Sequence, residues 1–140
     1  MLSALVLVVL AFGLTGLCGG CGGGNGGPAE VRVALTEDSV EASPLSASKG
    51  RVTFLVENKT GGERQFAVLA TSNGQLRSWP DEAAVEKVSI PGRVSEEVVV
   101  DLDAGSYVLA SWPTGEEQVV ADWDQKTGLH IRGSVTVEVR

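Results

Sequence analysis

No cysteine follows Cys21, His130 is the single histidine and Met1 the single methionine. A soft-ligand metal centre made of a thiolate, a thioether and two imidazoles therefore cannot be assembled from one copy of the chain. No Asp, Glu, Lys or Arg precedes Glu30, so the whole formal charge of -7 belongs to residues 30–140. Such an acidic surface argues against nucleic acid and against adsorption to anionic lipid. Helix-favouring runs of Ala, Leu, Glu and Lys are scarce, which disfavours a helical bundle, and Val, Thr, Ser and Gly dominate between short polar stretches. That composition favours a sandwich or barrel. No enzyme constellation is visible: Ser111 has no base at a recognisable spacing, and the carboxylate pairs read as ordinary surface charge.

The apolar run 2–17 stops short of the roughly 20 residues that span a bilayer. It is followed by Cys18-Gly19-Gly20-Cys21-Gly22-Gly23-Gly24, which neither a helix nor a strand would tolerate. We read residues 1–21 as a secretory signal. The usual basic n-region is absent, so either the free amine serves or the true start lies upstream. The segment resembles a bacterial lipoprotein signal, in which a small residue precedes a Cys that is acylated at its thiol and becomes the mature N-terminus. Cys21, preceded by Gly19-Gly20, fits that pattern better than Cys18, which follows Leu17. The competing disulfide or Cys-x-x-Cys redox pair has no folded neighbourhood and no partner cysteines. Residues 22–29 form a Gly-rich tether, reaching roughly 15 Å as a coil, and would hold the domain close to a membrane surface.

Residues 30–140, about 110 in number, suffice for one domain with a single two-layer core. Their apolar residues alternate, as in Val31-Arg32-Val33-Ala34-Leu35 and Arg51-Val52-Thr53-Phe54-Leu55-Val56-Glu57. Period two means strands with one buried face. Further strands are predicted at 65–70, 97–102, 106–112 and 134–139, with an edge strand at 39–42 and turns at the Gly, Asn, Pro and Asp clusters between them. Residues 81–88, opening with two acids after Pro80, predict one short helix at most. In Asp103-Ala104-Gly105-Ser106-Tyr107, a Tyr just after a Gly turn predicts a tyrosine corner, its hydroxyl bonded back to the backbone. The expected fold is an all-β, Greek-key, two-sheet sandwich.

Several motifs in order resemble the cupredoxins. Gly50-Arg51-Val52-Thr53-Phe54-Leu55-Val56-Glu57-Asn58 is similar to the family's "G-x-V-T-F-x-V-x-N", and Arg64-Gln65-Phe66 stands where the family has His-x-Phe. Pro91-Gly92 precedes a Val-rich strand, Leu102 to Tyr107 matches "L-x-x-G-x-Y", and Gly133-Ser134-Val135-Thr136-Val137 resembles the closing strand. The resemblance implies a cupredoxin-like sandwich over residues 31–139. It also implies where copper ligands would stand: the first His falls on Arg64, the Cys on Ser111, the second His on or near Glu116 or on Asp124, and the axial Met on Leu129 or Ile131. None of these side chains suits a type 1 site, and no cofactor is expected.

An Arg at the first of these positions suggests a staple in place of the metal, Arg64 pairing with a carboxylate among Glu116, Glu117, Asp122 and Asp124. The alternative is an Arg64 that snorkels to water. Trp79, Trp112 and Trp123 are predicted in or beside loops, the latter two flanking the degenerate site. They serve as interface anchors or as plugs over a core edge. Asp122-Trp123-Asp124 faintly resembles the start of a calcium loop, but Lys126 stands where a third ligand belongs and no Glu closes the turn. His130 lacks a second imidazole and reads as a solvated strand residue.

The expected function is a non-catalytic, extracytoplasmic module held at the membrane by an N-terminal lipid anchor, acting on an unidentified envelope protein. A small-ligand or metal-ion binding protein using Trp112, Asp122, Trp123 and Asp124 is the second reading, and an immunoglobulin-like adhesion domain the third. A polar, acidic pocket at the vacated end favours the ligand, and a flat tryptophan-bearing patch favours the protein partner. Strand order decides the third.

Overall fold

The alternation seen in the sequence becomes two packed sheets. In β1 (Glu30–Leu35), β4 (Gly50–Asn58) and β7 (Ser95–Leu102), every second residue is buried apart from the starts of β4 and β7, where Gly50 and Glu96 are exposed, and these strands with β2 (Val40–Ser43) form a sheet in the order β2-β1-β4-β7. The computed structural model describes residues 29–116 and 121–140. The expected signal, Cys18, Cys21 and the Gly-rich tether through Pro28 lie outside the described residues, as does Glu117.

The second sheet has the order β3-β11-β8-β5-β6. It comprises β3 (Ser46–Ala47), β5 (Arg64–Ala70), β6 (Ala84–Ile90), β8 (Gly105–Pro113) and β11 (Val135–Val139). Most pairs are antiparallel, but β1 runs parallel to β4 and β3 parallel to β11. Between the sheets lies the main core, with Val31, Leu35, Val52, Phe54, Phe66, Leu109 and Val137 all fully buried. Phe54 and Phe66 meet across it at 6.1 Å between ring centroids, within the range of favourable aromatic pairing. The tyrosine corner forms as expected, the Tyr107 hydroxyl donating to the Asp103 carbonyl at 2.9 Å.

A third, partial layer departs from the two-layer expectation. In β5 and β8 the alternation fails, and residues on both faces are buried. Such continuous burial means that both faces of these central strands are covered. On the outer face a second apolar cluster gathers Leu69, Leu76, Val108, Trp112, Leu129 and Ile131. The ribbon of β9 (Ala121–Asp124) and β10 (Gly128–Ile131) and the chain leading to α1 (Pro80–Ala83) supply its cover. Gly128 makes this closure possible: at φ +89° a Cβ would stand 2.1 Å from the Leu76 carbonyl oxygen, so only glycine fits.

The stretch expected as a helix at 81–88 is divided. A single turn, α1, ends at Ala83, and residues from Ala84 onward form β6, the edge strand paired with β5. The acids that suit a helix start are present, but the ladder offered by β5 and the two-residue period of Val88 and Ile90 win over helix propensity. Among the described residues no helix is long and apolar enough to cross a membrane.

Candidate functional site

Arg64 opens β5 and Ser111 lies near the end of β8, the neighbouring antiparallel strand. Both share the inward face of their strands, Arg64 with Phe66 and Val68, Ser111 with Tyr107 and Leu109, because side chains two apart share a face. They therefore meet at one end of the sandwich interior. Arg64 Nε–H donates to Ser111 Oγ at 2.9 Å, and the two residues are 6% and 4% exposed.

The loop before Arg64 is held by Asn58, which is fully buried. Its Nδ2 donates to the Gly62 and Ile90 carbonyls at 2.9 Å and to that of Pro91 at 3.1 Å. Its Oδ1 accepts from Thr60 N and Oγ1 at 2.9 and 2.7 Å. One amide thus ties loop 59–63 to the start of the β6–β7 turn. Loop 114–116 is clipped to the same region, with Thr114 Oγ1 donating to Glu63 Oε1 at 2.8 Å.

Over Arg64 and Ser111 opens a pocket of about 130 Å³, whose other lining residues include Glu37, Asp38, Arg132 and Glu116. The first two sit on the β1–β2 turn, closed by Thr36 N to Ser39 O at 2.9 Å and by Ser39 N to Thr36 Oγ1 at 3.0 Å. That turn is pressed against the β10–β11 connection, Val40 N donating to the Gly133 carbonyl at 2.7 Å. Gly133, at φ +74°, has the Asp38 carbonyl oxygen 2.3 Å from where a Cβ would be. Glycine there lets the acidic turn close down beside Arg132.

Burial lowers the proton affinity of the Arg64 guanidinium, while the negative charges of Glu37 and Glu116 oppose the shift; an arginine stays charged through such changes. Arg64 makes no ion pair with any described carboxylate, so the expected staple does not form with Glu116, Asp122 or Asp124, and its fourth candidate, Glu117, lies outside the described residues. Within them Arg64 is held by the Ser111 hydrogen bond, with Glu37 and Glu116 acting across the pocket. The Nη groups have no partner among the described residues. No fully buried polar side-chain atom of the described residues lacks a partner, so these nitrogens open onto the pocket.

The remaining sequence candidates lie elsewhere. Ile131 and Leu129, the two alternatives for the axial position, are buried in the outer cluster and do not line the pocket. Trp112 is 1% exposed in that cluster and presents no surface to a partner, because its position on β8 points it outward from the main core into the third layer. Trp123 and Trp79 are exposed. Asp122 and Asp124 are exposed on β9. Asp124 Oδ1 accepts the backbone N–H of Lys126 at 2.7 Å and of Thr127 at 3.0 Å, and these bonds hold its carboxyl below the ordinary range. The pair thus builds a tight hairpin turn of the Asx kind. His130 is exposed, its Nε2 2.6 Å from Thr127 Oγ1. Among the described residues no three His, Cys, Asp or Glu side chains gather as a metal site.

Glu37, Asp38, Ser39 and Arg132 escaped the sequence reading. The turn signal of Thr36-Glu37-Asp38-Ser39 was visible, but only the fold brings it to Arg64.

The fold is that of a cupredoxin-like sandwich, with Arg64 and Ser111 hydrogen-bonded at one end of its interior. No family model matches the sequence, and no curated protein sequence matches it. Among solved structures, auracyanin from the photosynthetic bacterium Roseiflexus castenholzii is similar at TM-score 0.53 and 10% identity, covering 82% of this chain and 99% of that one. Auracyanin A, a blue copper protein of Chloroflexus aurantiacus, is similar at TM-score 0.53 and 12% identity, covering 81% and 100%. At such identity the likeness shows the fold alone, and it sets aside the immunoglobulin-like reading. The side chains at the positions to which the resemblance assigns imidazole and thiolate do not fit copper: the Arg64 guanidinium has no lone pair to give a metal, and it is hydrogen-bonded to Ser111.

Proposed function

We propose that this protein is a non-catalytic, ligand-binding accessory module of the bacterial cell envelope, lipid-anchored through Cys21, whose vacated metal end receives a small polar molecule. The observation that carries this reading is the buried Arg64, held by one hydrogen bond and opening its Nη groups onto a polar pocket with acidic residues at its mouth. A buried, incompletely paired charge costs stability, and a bound ligand that pairs with it would offset that cost. The uncharged N-terminal segment ending in Cys18 and Cys21 supports export and lipidation.

Thermal unfolding of the full-length protein in mild detergent, against a panel of small carboxylates, amino acids, amines and divalent metal ions, tests the reading. A ligand at a hundred times its dissociation constant adds about 2.7 kcal/mol. The expected result is a rise with an organic ligand that Arg64→Met abolishes. If no compound stabilises the protein, or if only a metal does so, the reading fails.

Docking of a protein partner is the second reading, favoured by an open groove of about 580 Å³ on the outer face of the first sheet. Ala34 and Leu55 lie among its lining residues, and Glu41, Glu57, Glu96 and Glu97 border it, a combination suited to a basic partner.

A further inference from the structure

The pocket carries charges of both signs in a definite order from its inner end to its mouth. At the inner end stand Arg64 and Ser111, each more than nine-tenths buried. At the mouth stand Glu37, Asp38 and Glu116, with Arg132 beside them, all exposed.

A simple anion would meet a favourable guanidinium but would have to pass and remain beside three carboxylates, which among the described lining residues outnumber the two arginines. A simple cation would be drawn to the rim but repelled from the inner end, because like charges at close range disfavour each other. A molecule with an anionic head and a cationic group a few ångströms behind it meets favourable charge at both levels. We propose that the pocket binds a small zwitterion, an α-amino acid of the smallest kind. Its carboxylate sits on the free Nη groups of Arg64 and its ammonium faces Glu37, Asp38 and Glu116. This inference rests on the ligand-pocket reading and names the class of ligand.

Geometry and size agree with it. The bond from Nε to Ser111 fixes the guanidinium plane and leaves the Nη edge free, and a planar fork with two parallel donors matches a carboxylate bidentately. Ser111 Oγ accepts from Arg64, and its own hydrogen has no acceptor among the described residues, so it can add a third donor. The volume of about 130 Å³ equals about four waters at their liquid share, which accommodates glycine or alanine. A larger side chain has to project through the mouth.

Isothermal titration of the full-length protein in mild detergent with glycine, sodium acetate and methylammonium chloride, at one ionic strength, tests the inference. Glycine is expected to bind at least about tenfold more tightly than either half-molecule. Arg64→Met should abolish binding. The double substitution Glu37→Gln with Glu116→Gln, both on the exposed rim, should weaken glycine while strengthening acetate. Should acetate bind as tightly as glycine, the zwitterion is refuted and the anion-accepting pocket stands. Tighter binding of methylammonium would refute the role of Arg64 as well. Binding of none of the three overturns the zwitterion, and the ligand-pocket reading then falls only if the wider panel of compounds also leaves the protein unshifted. The rim variant keeps the test decisive even if Arg64→Met fails to fold.

Discussion

Arg64 and Ser111 touch each other, yet their replacement should have opposite consequences. Ser111→Ala leaves the buried Arg64 Nε–H without the acceptor it has at 2.9 Å. A hydrogen bond to a charged group contributes about 1.5–3 kcal/mol, and an orphaned buried donor forfeits all of it. Arg64→Met removes the charge itself and puts an apolar chain into the space between Phe66 and the pocket. Exchanging a buried charge for an apolar side chain of similar size is commonly neutral or stabilising, so this variant should stay within about 1 kcal/mol of the parent or exceed it. For a domain of this size 1 kcal/mol is about 4 °C in Tm. Ser111→Ala is therefore expected to melt about 6–12 °C lower, and Arg64→Met within about 4 °C of the parent. The double variant should recover most of the loss, because nothing charged is left to be orphaned. Urea unfolding followed by circular dichroism, on both single variants and the double, closes the cycle. If Arg64→Met proves as damaging as Ser111→Ala, the arginine is a structural staple and its presence needs no ligand.

Other predictions concern parts away from the pocket. Tyr107→Phe deletes the corner bond to Asp103 and should cost about 0.5–1.5 kcal/mol. Burial beside Asp103 raises the Tyr107 pKa, so its contribution is complete below the ordinary tyrosine value near 10 and is lost as pH rises through the higher folded value. The gap between parent and variant should close in alkaline unfolding experiments, and a gap that widens there would contradict the assignment. For Asp124 the sign is reversed. Its lowered pKa means that the stabilising turn is present above about pH 4 and lost as pH falls through the folded value, so Asp124→Ala should differ from the parent at neutral pH and converge with it in acid. Trp112→Ala empties the outer cluster and should cost about 3–5 kcal/mol, whereas Trp123→Ala, at an exposed site, should stay within about 0.5 kcal/mol. Equal losses in denaturant titrations of those two variants would mean that the third layer does not form as described.

The strands with one buried face were legible because a two-residue period is written directly into β1, β4, β7 and β11, and the corner at Tyr107 because its turn and its aromatic are local. Arg64 and Ser111 were singled out only by the resemblance to the cupredoxins, which puts copper ligands at those positions. The third layer was not legible. A strand covered on both faces, such as β8, has no period that tells its two faces apart, so the sequence places Trp112 at a strand end beside a loop, and only the β9–β10 ribbon folded over it buries it. The division of residues 80–90 into α1 and β6 likewise depends on β5 offering a free edge. The pocket was the least accessible of all, since Glu37, Asp38, Arg64, Ser111, Glu116 and Arg132 come from separate stretches of the chain and share no local pattern. The residues by themselves determined the strands with one buried face and the lack of any cysteine or second histidine in residues 30–140, because alternation and residue identity are one-dimensional properties. Only the tertiary structure decided which charges face one another, since that depends on pairings between strands and turns far apart in the chain.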